Sequence, residues 1–133
     1  MVRDIEKLLV VLDRLRVIRG RTRLQKIIFL LKHKNKIDFD YNFIPYYYGP
    51  YSRDLQLAVN LLEAAGFVQV VPESGNLYVH CLTTEGRSAA RQSEQKMQKS
   101  EKNSLSEALR SYDEERSTPS LISEAKKLAA LPA

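Results

Sequence analysis

His33, His80 and Cys81 are the side chains whose types best suit nucleophilic, base or metal-ligand chemistry in this sequence. A thiol nucleophile needs a base within hydrogen-bond reach. His80 and Cys81 are sequence neighbours, and neighbours on a strand point to opposite faces, so they cannot form a local pair. Neither histidine has a second ligand at metal-binding spacing. The chain carries no phosphate loop, no dinucleotide-binding glycine fingerprint and no His-Glu-x-x-His motif. We therefore expect no catalysis, no cofactor, no metal and no small-molecule substrate, with Cys81 as a small core residue.

Binding chemistry is better represented. Residues 1–40 hold 11 Lys and Arg against 5 Asp and Glu, whereas 41–80 hold only Arg53 against Asp54, Glu63 and Glu73. The net charge of +5 is thus concentrated in the N-terminal third, and a basic cluster attracts polyanions. Arg19, Arg21, Arg23, Lys26, Lys32 and Lys34 are the candidates for contact with a phosphate backbone or with an acidic protein surface. Arg53, Gln56 and Asn60 follow on a separate segment. Arginine can pair with guanine, and Gln or Asn with adenine, but the acidic side chains around them weaken that footprint, because phosphate neutralisation supplies most affinity.

Tyrosine supplies the other unusual feature. Tyr41, Tyr46, Tyr47, Tyr48 and Tyr51 are five of the seven tyrosines. Tyr46, Tyr47, Tyr48 and Tyr51 are interface candidates, since tyrosine is enriched in interfaces. The competing reading is that these rings cover a core.

The elements that must position these residues follow from periodicity. Ile5, Leu8, Leu9, Leu12 and Leu15 recur at helical spacing, predicting a helix over 4–19 that stops at Gly20. A second helix starts at Thr22, with Thr22 and Gln25 as a capping box, and runs to the polar stretch 32–36. Residues 42–48 suit an edge strand, with Pro45 at its limit. Gly49-Pro50 marks a turn, and Ser52 caps a third helix, inner face Leu55, Val59 and Leu62, closed by Gly66. Two β-rich runs flank Pro72–Asn76, the composition of a hairpin turn. Thr83 or Thr84 caps a fourth helix. Residues 91–104 are polar enough for a solvent-bridging helix or a partly disordered stretch. Ser104–Glu107 has capping-box form, and Thr118-Pro119 can open a last helix.

This order of helices, strand and hairpin predicts an α+β winged helix over 1–88 with a helical extension over 89–133. The extension is too poor in apolar residues to fold alone. Its stripe, including Leu105, Leu109, Leu121, Ile122 and Leu128, predicts packing on the first domain or dimerisation. The stretches 21–31, 46–68 and 77–87 resemble the YwgA-like winged-helix proteins and, more distantly, the Panacea domain of SocA-type antitoxins. The resemblance rests on Leu24-Gln25-Lys26, Gly49-Pro50-Tyr51-Ser52, Leu62 with Gly66, Phe67 and Val68, and Leu82-Thr83 with Gly86-Arg87. It implies a winged-helix fold and a regulatory or toxin-antidote role. The expected function is a DNA-binding, transcription-regulator-like homodimer; the alternative is a protein-docking module. With no apolar run long enough for a bilayer, no signal-peptide pattern at the N-terminus and one cysteine, a cytoplasmic protein is expected.

Overall fold

The computed structural model describes residues 2–130. Met1 and residues 131–133, which the expected domains 1–88 and 89–133 included, lie outside them. The described residues form a mixed α+β structure of six helices and a small three-stranded antiparallel sheet. None of the helices is long and apolar enough to cross a membrane.

Helix α1 spans Asp4–Leu15 and lies against the later helices over Thr84–Lys96 and Lys99–Leu109 as well as the sheet. This explains why Leu8, Leu9, Val10, Val11 and Leu12 are all buried. The helix does not continue to residue 19 as its periodicity suggested. Arg16 takes a left-handed conformation (φ 67°), and Val17–Arg19 becomes strand β1. Two causes act together: Val17 and Ile18 are β-branched and favour a strand, and β1 covers an edge of the later strand Leu77–Leu82 that would otherwise be unpaired.

Helix α2, Arg21–His33, has its N-cap two residues before the expected Thr22. Gly20 occupies the N-cap and offers no side-chain acceptor. Gln25 turns inward instead of capping.

The expected edge strand over 42–48 is replaced by a tight hairpin-like turn. Ile44 and Tyr51 exchange backbone hydrogen bonds at 2.9 Å, and Tyr46 and Gly49 exchange them at 3.1 Å. Pro45 and Pro50 face each other between these two pairs, at a non-hydrogen-bonded position where their missing N–H costs no bond, and the helix that begins at Arg53 ends the pairing. Gly49 has φ 100°, a conformation that disfavours side-chain-bearing residues.

Helix α3, Arg53–Ala64, is capped as expected: Leu55 N–H donates to Ser52 Oγ at 3.2 Å. Strands β2 (Val68–Glu73) and β3 (Leu77–Leu82) form the expected hairpin, and the sheet order is β1-β3-β2. Thr83 caps helix α4, Thr84–Lys96. Gly86 is required there, because a Cβ would sit 1.9 Å from the Phe67 carbonyl oxygen.

The polar stretch 91–104 is ordered as the end of α4 and the start of helix α5, Lys99–Leu109. Met97, at the break, is buried. Ser104 lies inside α5 rather than capping a helix. Helix α6, Thr118–Ala129, is capped by Ser117 and packs on α2. Leu105, Leu109, Leu121 and Ala125 join the same hydrophobic cluster as α1 and α2. Leu105, Leu109 and Leu121 of the C-terminal stripe are therefore covered within one chain, while Ile122 and Leu128 are half-buried.

Candidate functional site

The basic residues of the N-terminal third divide by what their head groups touch. Arg23 is buried, and its guanidinium donates to the Arg116 and Asp113 carbonyls, both at 2.6 Å. Lys26 is 2% exposed and donates to the Pro50 carbonyl at 2.7 Å. Lys32 donates to the Tyr41 carbonyl at 2.6 Å. Through these bonds the three hold loops in place, and Arg23 and Lys26 are buried rather than part of an outward-facing surface. Arg19 pairs with Glu73 at 3.1 Å across the sheet, and Lys34 pairs with Glu124. Of the expected basic contacts, only Arg21 and Arg53 form neither an ion pair nor a side-chain hydrogen bond among the described residues. The Arg21 guanidinium lies 4.0 Å from the centre of the Tyr78 ring.

The tyrosines lie differently from a strand's alternation. The tight turn leaves Tyr46, Tyr47 and Tyr48 all exposed, Tyr47 at 82%. The Tyr46 ring packs on Tyr47 and Tyr51 at centroid separations of 4.9 and 5.1 Å. Tyr41 is buried and belongs to the core. Core packing thus accounts for Tyr41 but not for the three tyrosines at the turn.

Helix α3 adds two residues that the sequence reading passed over. Leu57 and Leu61 are 49% and 63% exposed. They fall four residues apart, outside the buried stripe of Leu55, Val59 and Leu62, a spacing that places them side by side on the outer face. Their signal was present in the sequence as an apolar surplus: one stripe cannot hold seven apolar residues in twelve. Gln56 and Asn60 flank them, with Gln56 Nε2 donating to Asn60 Oδ1 at 3.0 Å. Among the described residues, the large exposed apolar side chains are Ile44, Tyr46, Tyr47, Tyr48, Leu57, Leu61 and Val71. All of them fall in the segment 44–71.

A cavity of about 420 Å³ opens between the start of α2, the tyrosine turn and α3. Arg21, Lys26, Tyr46, Tyr48, Gln56 and Asn60 are among its lining residues, and no Asp or Glu is. Burial, together with the nearby positive charge of Lys126, lowers the Lys26 ammonium to about 8. A wider recess of about 790 Å³ on the other side of Gly49 is lined mainly by apolar side chains, including Phe29, Phe43, Ile44 and Leu128.

Of the two histidines, His33 lines the wider recess, whereas neither lines the smaller cavity. His33 packs on the Phe29 ring at 4.6 Å. His80 is 1% exposed in the central strand, its Nδ1 has no hydrogen-bond partner, and burial lowers its pKa. Cys81 is half-buried beside it. Among the described residues, no three His, Cys, Asp or Glu side chains group together as metal ligands would.

No protein-family model matches the chain, and no curated protein shows significant similarity to it.

Proposed function

We propose that this protein is a winged-helix interaction module that docks a partner protein through the tyrosine turn and the outer face of α3, and performs no chemistry of its own. The winged-helix assignment is supported by the order α1-β1-α2-α3-β2-β3 and the sheet order β1-β3-β2. One observation carries the docking role: the large exposed apolar side chains are concentrated in 44–71, and exposed apolar surface of this kind marks an interaction site. The engagement of Arg23 and Lys32 with backbone carbonyls weighs in the same direction, since it draws two cations away from a phosphate-binding face. The resemblance at Gly49-Pro50-Tyr51-Ser52 suggests a partner of the regulatory or toxin-antidote kind. A cytoplasmic setting suits the single thiol.

Arg21, Arg53, Gln56 and Asn60 favour duplex DNA as a second reading, because all four lie on or beside α3 and the cavity. Fluorescence anisotropy with random and genomic duplexes at two salt concentrations separates the two. Docking predicts no specific binding and little affinity even at low salt. Tight, salt-steep binding that Arg21→Glu weakens for all duplexes and Arg53→Ala relaxes in sequence preference would overturn it in favour of DNA.

A further inference from the structure

We infer that the cavity between α2, the tyrosine turn and α3 is a carboxylate subsite, where an acidic side chain of the docked partner is held by Lys26 and Arg21. The identity of the carboxylate's carrier rests on the docking reading above; the anion preference of the cavity does not.

The central observation is an uncompensated buried cation. An ammonium has three donors, and Lys26 uses one of them, on the Pro50 carbonyl. The charge that acts on it is another lysine, Lys126. The two side chains approach each other around Gly49, where a Cβ would lie 3.2 Å from Lys126 Cγ and 3.3 Å from Lys26 Cε. A buried charge without a counter-charge is costly. A carbonyl-bonded lysine serving only to hold the turn would leave that cost standing, whereas an anion in the cavity would offset it.

The rest of the lining has the same preference. Arg21 adds a second cation, and no acidic side chain competes for either. The hydroxyls of Tyr46, Tyr48 and Tyr51 make no intramolecular hydrogen bond among the described residues; the one tyrosine hydroxyl that does is that of Tyr112, on Asn35. Arg21 and Thr22 also stand in the first turn of α2, which has neither a side-chain cap nor an acidic residue, so the positive end of the helix dipole adds to the field. Shape decides between sources of the anion. Lys26 is 2% exposed at the inner side of the cavity. A carboxylate on a flexible side chain can enter such a space. A phosphodiester fixed on the rim of a stiff duplex cannot.

The test follows Lys26 Cε by NMR in the full-length protein with ¹³C-labelled lysine. The pH titration is run in chloride, then in sodium acetate at matched ionic strength. In chloride, Lys26 should titrate near 8. In acetate it should rise by about one unit, the shift that corresponds to a roughly tenfold preference for the charged form. Arg21→Gln, at an exposed position, should keep the fold and reduce that rise. An acetate-independent Lys26 overturns the inference, as does a Lys26 moved by a DNA duplex and not by acetate. Either result leaves intact the separate expectation that Leu61→Glu abolishes partner docking, so the subsite and the docking surface fail independently.

Discussion

Gln25 and Ser52 exchange two hydrogen bonds between α2 and the start of α3. Gln25 Nε2 donates to the Ser52 carbonyl at 2.9 Å, and the Ser52 N–H donates to Gln25 Oε1 at 2.7 Å. Both residues are buried, so the pair fixes where α3 begins relative to α2 and thereby sets the mouth of the cavity. Gln25→Leu should leave the buried Ser52 N–H unpaired, while the Ser52 carbonyl keeps the Gln56 N–H at 3.2 Å. The expected cost is about 2–3 kcal/mol, read by urea denaturation, with amide shifts at Tyr46–Tyr51 in the folded variant. A stability within experimental error of the parent would contradict this role.

Arg23 clasps the loop that leads into α6 through two carbonyls. Arg23→Ala removes both charge-assisted bonds and should lower stability by about 2–3 kcal/mol. Hydrogen exchange should quicken first over residues 113–129. If Arg23 acted instead at a nucleic-acid surface, stability and exchange would both be unchanged.

His80 gives the fold an acid-sensitive element. Burial lowers its pKa below the ordinary value of 6.5, so below about that pH the unfolded chain takes up a proton that the folded chain resists. Its contribution is complete above about pH 6.5 and is lost as the pH falls toward the depressed folded value. His33 is lowered as well, by partial burial and by Lys32 and Lys36, and adds to the same slope. His80→Leu should therefore flatten part of the fall in melting temperature on acidification. An unchanged profile would show that His80 is not the source.

The C-terminal helices belong to the core rather than to a detachable tail. Leu105 and Leu121 are 2% and 0% exposed. Leu121→Ala should cost about 2–5 kcal/mol, and truncation after Arg87 should give a chain without a cooperative thermal transition. A truncated protein that melts cooperatively would mean that 2–87 folds alone.

Much of this architecture was legible in the residues, and the failures have physical causes. The stripes of α1 and α3, the Ser52 and Thr83 caps and the turn between β2 and β3 depend on local chemistry and were read directly. Strand β1 was missed because its reason to exist is a partner some sixty residues away in β3, where Val17 pairs with Cys81. The aromatic stretch had strand composition, but its pairing folds back on itself at 46–49 and stops where α3 begins at Arg53, leaving one isolated bridge between Ile44 and Tyr51. The basic cluster misled most. Charge counts do not reveal whether a head group points to water or to a carbonyl, and Arg23 and Lys26 are buried by contacts 24 or more residues distant. The tyrosine turn was recognised as unusual, whereas Leu57 and Leu61 were obscured by the apolar stripe beside them.

The central claim is that α3 and the tyrosine turn dock a protein. The most direct measurement places a photo-crosslinking phenylalanine derivative at Tyr47, the most exposed of the three turn tyrosines, in cells that express the protein natively, with a control at Arg91 on α4. The account predicts an adduct of one discrete mass at position 47 and none at 91, resistant to nuclease, sensitive to protease, and lost when Leu61→Glu is combined with it. A nuclease-sensitive adduct, or equal labelling at both positions unaffected by Leu61→Glu, would contradict it.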